Sequence, residues 1–333
     1  MKNDKLIGDD LTIVNQILPH TNKWAFDLYL RGCANNWMPT EISMQKDVEQ
    51  WKGKLSDDEK LVIKRCLGFF AGSESLVSNN LLLTIFRYVC DAECRQYISR
   101  QQFEESLHNL TIVYICDSLN LDIQELYAAY DTIPSIKKKD DFLVKITKDI
   151  HKPDFNINSV KGKRELLRNL ITYYILCEGM FFYAGFAAIL SFSRKGLIPG
   201  ICEQITYSLR DEANHLEFGI TLINKIKEQE PELWTDSFKE ETLEYIRKTT
   251  ELETEFAQDI LPNGLLGLTE EMFLKYMKYL ANRRCEQIGL NKLFRKVQNP
   301  FPWLSEVIEL PKLKNFFETK VTEYQSGGMI DDF

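Results

Sequence analysis

A chain of 333 residues with 44% hydrophobic and 12% aromatic content can bury a large core, and its 10 prolines and 16 glycines are few enough for long helices. The formal net charge of −8 argues against a nucleic-acid footprint. Eight cysteines (Cys33, Cys66, Cys90, Cys94, Cys116, Cys177, Cys202 and Cys285) form no Cys-x-x-Cys pair and lie mostly in apolar helical stretches, which fits free thiols in a reducing cytoplasm better than a disulfide framework.

The first ten residues are charged and lack the apolar core of a signal peptide, and residues 1–20 read as an irregular arm. An apolar segment from Trp24 leads into Asn35-Asn36-Trp37-Met38-Pro39, where Pro39 biases Met38 away from helix and sets Trp37 at a turn; composition alone makes Trp37 a core anchor. Ser56 followed by Glu59 is a capping box that opens a long helix. Glu74 sits in the middle of it among Phe69, Phe70, Leu76 and Val77, where a buried carboxylate needs a partner or a metal. A second long helix, 93–119, carries Glu105 and His108, and a shorter one, 121–130, is stopped by Pro134.

Residues 131–163 are the longest poorly patterned region. Within them Lys137, Lys138 and Lys139 read as a solvated basic patch, with a phosphate or partner contact as the lesser reading. Residues 170–193 hold one charge, Glu178, in 24 positions and are long enough to cross a bilayer. A carboxylate near the centre of a lone span costs a few kcal/mol, and Tyr173, Tyr174 and Tyr183 add polar groups, so a buried central helix and no membrane span is the expectation. Phe182 and Phe186, four and eight residues past Glu178, either wall a dry pocket or pack as ordinary core. After Pro199-Gly200 comes a helix with Tyr207, Arg210, Asp211, Glu212 and His215, then amphipathic helices at 238–260 and 268–296 and an extended or turn-like stretch at 299–306. The composition changes after Lys320. Two glycines and an acidic-apolar end make residues 321–333 either a flexible docking tail or a frayed terminus, beside one helical domain over 1–320.

Two of the four histidines carry a glutamate three residues earlier, Glu105 before His108 and Glu212 before His215. On a helix those positions share a face, so carboxylate and imidazole converge. Glu74 precedes Glu105 by 31 residues and Glu178 precedes Glu212 by 34, so the chain repeats one unit twice. Four carboxylates and two imidazoles are the ligand set of carboxylate-bridged dinuclear sites in ferritin-like helical bundles, which predicts an all-α fold with a four-helix core and extra flanking helices. Six N/O ligands without thiolate suit Fe or Mn and accept Zn or Co. Asp211, directly before Glu212, is placed to accept the far N–H of a ligating histidine, His108 first. These steps give an O₂-activating dinuclear protein and no substrate. An iron store, a ligand-binding oxidase or monooxygenase, and a metal-free interaction protein are the rival readings.

From Trp24 to Phe333 the chain resembles the small, radical-generating subunit of class I ribonucleotide reductase, through NNWMPTE, GFFAGSESLVSNNL, FEESLH, CEGMFFYAGF, LRDEANHLEFGI, NPFPW and FFETKVTEYQ. The likeness is greatest to the chlamydial-type subclass with a manganese–iron cofactor. The resemblance implies Glu74, Glu105, His108, Glu178, Glu212 and His215 as metal ligands, with Mn and Fe, or two Fe, as the metals. It implies Trp37, Asp211 and Tyr207 in electron transfer between metals and surface, and Tyr324 in transfer to the large catalytic subunit, onto which the last residues dock. It also implies a homodimer and ribonucleotide reduction on the partner, and it leaves this chain without a nucleotide site. Most of the family has Asp where Glu74 stands; the manganese–iron subclass has Glu. The radical-bearing Tyr of most members falls at Ile112, a position that is Phe in that subclass. Tyr114 lies six residues from His108, about 120° around the helix, and does not take its place. The expectation is that the metal pair itself stores the oxidising equivalent, without a tyrosyl radical.

Overall fold

The computed structural model describes residues 5–9, 16–261 and 267–305. Among them the architecture is all-helical, with one isolated antiparallel bridge between Ile7 and Val89. Residues up to Pro300 form one compact unit; of the second unit, 301–333, only 301–305 are described, and 302–305 make a helical turn in the stretch read from the sequence as extended or turn-like. Tyr324 and the tail lie outside the described residues.

Helix α1 (Lys23–Ala34) and α2 (Gln45–Gly53) flank a core of four long helices. The first core helix, α3 (Asp57–Asn80), begins at the expected capping box: Ser56 Oγ accepts the Glu59 N–H and Glu59 returns to the Ser56 N–H. It continues through a π-helical segment, Leu81–Ile85, to Tyr88. Helix α4 (Ala92–Leu119) is opened by Asp91, which accepts the Cys94 N–H. Two short helices, Ile123–Tyr127 and Ala129–Thr132, end before Pro134 as expected.

Pro134 then starts helix α5 (Pro134–Thr147). The sequence reading took Pro134 only as a stop and left this stretch unpatterned. At the first helical position a proline loses no hydrogen bond and its fixed φ favours the helix, so one residue ends one helix and begins the next. The same helix corrects the reading of the lysine triplet. Lys137 and Lys138 are solvated, but Lys139 is fully buried and ion-paired at 2.5 Å with buried Glu253.

Helix α6 (Val160–Ser193) is long and apolar enough to cross a membrane, yet its most apolar stretch is wholly buried inside the protein. Its middle, Ile171–Phe181, is π-helical and contains Glu178. Phe182 and Phe186 beyond it pack on Phe69 and Phe70 of α3, with ring centroids 5.2–6.0 Å apart. Helix α7 (Pro199–Gln229) carries the second Glu-x-x-His, and buried Asp47 from α2 accepts the N–H groups of Gly200 and Ile201 at its first turn, both at 2.9 Å. Helices α3 and α4 pack together, as do α6 and α7; α6 also meets α3, and α7 meets α4, which closes the four-helix core. Helix α8 (Asp236–Ile260) joins α5 against α6, and α9 (Glu270–Gln287) packs on α8. The last helix stops nine residues before the expected 296. Gly289 at φ 74° turns the chain out of the helix, and the Leu290 N–H returns to the Cys285 carbonyl at 2.8 Å.

Candidate metal centre

Each core helix delivers one part of the expected constellation to the bundle interior. Glu74 comes from α3, Glu105 and His108 from α4, Glu178 from α6, and Glu212 and His215 from α7; all six are buried. Their ligand atoms gather in two overlapping groups, each within 4.8 Å: Glu74, Glu105, His108 and Glu212, and Glu105, Glu178, Glu212 and His215. The overlap is the two Glu-x-x-His glutamates. Glu105 and Glu212 therefore lie between two positions, Glu74 with His108 at one and Glu178 with His215 at the other.

Both histidines turn Nδ1 inward. His108 Nδ1 stands 3.2 Å from Glu212 and 3.6 Å from Glu74, and His215 Nδ1 stands 3.1 Å from Glu105 and 3.4 Å from Glu212. Among the inward atoms, Glu74 Oε2, Glu105 Oε2, Glu178 Oε2, both Glu212 oxygens and the Nδ1 of each histidine have no hydrogen-bond partner in the protein. Leaving that many buried polar atoms unpaired is costly unless a cation satisfies them. Four carboxylates carry four negative charges, the number that two divalent ions would balance. The donor set thus fits a dinuclear centre.

The electrostatics agree. Burial, with carboxylate neighbours added, pushes Glu74 and Glu178 well above the usual carboxylate range. Burial opposes charge on either imidazole, yet Glu74 beside His108, and Glu212 and Glu105 beside His215, hold both well above the ordinary histidine value. Glu105, raised by burial but flanked by both imidazoles, is lowered on balance. The pocket favours positive charge at its centre.

Around these six lies a ring of polar residues. Asp211 Oδ2 accepts the Trp37 indole N–H at 2.7 Å and faces His108 Nε2 at 3.6 Å, without the hydrogen bond expected from the sequence. Burial would raise the Asp211 carboxyl, but His108, Arg210 and Trp37 hold it low. Trp37 is buried with Ile42 and Leu107, and its ring lies 5.3 Å from that of half-buried Tyr207. It is a core residue and also touches the carboxylate that faces a site histidine. On the other side, Gln101 donates to Glu178 at 3.1 Å and to Glu105 at 3.4 Å, and accepts from the Tyr174 hydroxyl at 2.9 Å. Ile112 is buried one turn past His108, while the Tyr114 hydroxyl donates to the Ile42 carbonyl at 3.0 Å.

Sequence reasoning missed Gln101 and Glu104. Glu104 Oε2 accepts from His215 Nε2 at 2.9 Å. Its signal was present: Glu104-Glu105-x-x-His108 mirrors Asp211-Glu212-x-x-His215, with an acid directly before each ligand-type glutamate.

The ribonucleotide reductase, small chain, family matches residues 14–300. A Chlamydia pneumoniae protein, ribonucleoside-diphosphate reductase subunit beta, is 52% identical over 326 residues, which is 98% of this chain and 94% of the relative. The chain belongs to the ribonucleotide reductase small-chain family. It is a class I small subunit of chlamydial likeness and an oxidoreductase component. A Saccharomyces cerevisiae relative, ribonucleoside-diphosphate reductase small chain 1, is 28% identical over 99% of this small subunit and 77% of its own length. The solved ribonucleotide reductase R2 subunit from Clostridium botulinum superposes with a TM-score of 0.81 at 27% identity, covering 89% of this chain and 91% of that one. The ferritin-like helical fold expected for the chain is the fold observed.

Proposed function

We propose that this small subunit holds a manganese–iron pair, or failing that two iron ions, on Glu74, Glu105, His108, Glu178, Glu212 and His215, and serves ribonucleoside diphosphate reduction on a large catalytic subunit. The reading is carried by the two overlapping ligand groups that share Glu105 and Glu212. When bound, the pair would supply reaction with O₂ and storage of the oxidising equivalent that the partner uses to make deoxyribonucleotides.

The chain's own residues do the rest. Glu105 and Glu212, common to both ligand groups, would help to hold both ions. The carboxylates behind the histidines orient each ring with Nδ1 inward. Trp37, bonded to Asp211 and lying on Tyr207, would lead outward from the carboxylate that faces His108 at 3.6 Å. Tyr324 would extend it to the partner, with residues 321–333 as the docking tail. Ile112 cannot be oxidised where a radical tyrosine would stand, and Tyr114 is turned to the Ile42 carbonyl. On this reading the bound metals would store the oxidising equivalent, with no tyrosine taking the place of Ile112. A homodimer is supported by an exposed apolar stripe on α4: Phe103, Leu110 and Val113 are 46%, 41% and 45% exposed and recur at helical spacing.

The test is reconstitution of metal-free protein under O₂ with iron, with manganese, and with both, followed by metal content, electron paramagnetic resonance and turnover with the large subunit. Activity only with both metals and without a tyrosyl signal is expected. Full activity with iron alone, together with a tyrosyl radical, would overturn the reading of Ile112. Trp37→Phe should leave metal content intact and reduce partner-dependent turnover to background; unchanged turnover would remove Trp37 from the route.

A further inference from the structure

Behind the two histidines the structure is nearly, but not fully, symmetric. Each far nitrogen faces a carboxylate that directly precedes the other helix's bridging-type glutamate: Asp211 behind His108, Glu104 behind His215. Each of these carboxylates meets an arginine, Arg210 at 3.3 Å and Arg100 at 2.8 Å. Both arginines reach the turn after α1, Arg210 the Asn35 carbonyl and Arg100 the Asn36 side chain at 3.1 Å.

The difference lies in how each carboxylate is used. Asp211 Oδ2 is engaged by the Trp37 indole and stands 3.6 Å from His108, beyond a hydrogen bond. Glu104 divides its work cleanly: Oε2 accepts from His215 at 2.9 Å, and Oε1 accepts from Arg100 at 2.8 Å. Glu104 is fully buried, and α1 packs tightly over it at Gly32, where an added Cβ would come within 3.0 Å of Glu104 Oε1.

The geometry points to Glu104, held by Arg100, as a positioning residue for His215. By accepting the Nε2 proton it holds the ring with Nδ1 aimed at Glu105 and Glu212, so that half of the centre is oriented before an ion arrives. A carboxylate behind a ligating imidazole also raises the ring's donor strength, and losing one costs about 10–100-fold in metal affinity. The effect should be one-sided. Glu104 bonds His215, while His108 faces Asp211 instead, so Glu104 should govern the position of Glu178 and His215 and leave that of Glu74 and His108 alone.

This rests on the dinuclear reading above, and the test separates the two. Metal-free wild type, Glu104→Ala and Glu104→Gln are titrated with Mn(II), following free aqueous Mn(II) by electron paramagnetic resonance and the fold by circular dichroism. Wild type should take up two ions per chain. Glu104→Ala should keep one affinity within about twofold of wild type and weaken the other by about 10–100-fold. Glu104→Gln, which retains a neutral acceptor oxygen and fills the same space, should recover part of that loss. Two ions bound with unchanged affinities by folded Glu104→Ala would overturn the positioning role, as would equal weakening of both. Wild type that binds no ion would instead sink the dinuclear reading. If Glu104→Ala does not fold, Glu104→Gln decides alone, unchanged affinities in that variant counting against the role.

Discussion

Two of the buried charge clusters among the described residues of this small subunit are solved in opposite ways. Lys139 and Glu253 form an ion pair at 2.5 Å, and each also takes a backbone group of α6, Lys139 the Phe181 carbonyl and Glu253 the Ala184 N–H, both at 3.0 Å. Those two groups sit where the π-helical segment gives way to α-helix, so the pair braces the junction just beyond Glu178. Phe69 and Phe256 cover the ammonium at 3.5 and 3.9 Å from their centroids. The other cluster, about Glu105 and Glu212, turns its polar atoms toward one another with no lysine or arginine among the described residues paired to its four glutamates. Buried charge paired within the chain is structural; buried charge converging without a partner is a binding site.

The largest effect that would break this contrast is at the shared glutamates. Glu212→Ala removes a ligand from both positions at once, and the small subunit should retain neither ion and show no turnover with the large subunit. Glu74→Ala and Glu178→Ala each touch one group and should leave one ion bound. Metal analysis of the purified variants checks this, and Glu212→Ala that still holds two ions would show that Glu212 does not bridge.

In the other cluster the loss should appear as stability. Lys139→Met leaves Glu253 buried and alone, at a cost of about 3–5 kcal/mol, read from the urea midpoint. Replacing both residues by methionine should recover much of that, because two uncharged side chains incur no desolvation of charge. Metal content per folded chain should not change in the double variant. A loss as large as in the single variant would mean that the backbone contacts at Phe181 and Ala184, and not the charge pairing, are what the cluster contributes.

The sequence made one of these clusters legible and hid the other. Glu-x-x-His is local, so helical periodicity alone places both residues on one face, and two copies with an upstream glutamate point to one site. The capping box at Ser56 was equally local. Lys139 could not be found that way. It stands in a run of three lysines, and what separates it from its neighbours is the approach of α8, more than 100 residues later in the chain, with Glu253. Glu104 lies between: its position before Glu105 repeats that of Asp211, but only the crossing of α4 and α7 shows which histidine it serves. Helix α5 was missed because proline was read as an end when it is also a beginning. The π segment was missed because its residues are apolar all round and carry no helical period to disturb.

Asp140, next to Lys139, sharpens the contrast at smaller scale. It is buried, both its oxygens lack a hydrogen-bond partner, and burial, with the Lys139 charge opposing, raises its carboxyl to about 7. A carboxyl whose folded value lies above its unfolded one favours the fold while protonated. That contribution is present below about pH 4 and is lost as pH rises through about 7. Asp140→Asn keeps the shape without the charge. It should therefore raise stability more at pH 8 than at pH 5, by about 2–3 kcal/mol between the two, read as urea midpoints at the two values. An ordinary paired aspartate would give no slope over this range, the asparagine variant losing about the same stability at pH 5 as at pH 8. That outcome would place Asp140 with the internally paired charges of Lys139 and Glu253, and not as a third, unpaired charge beside them.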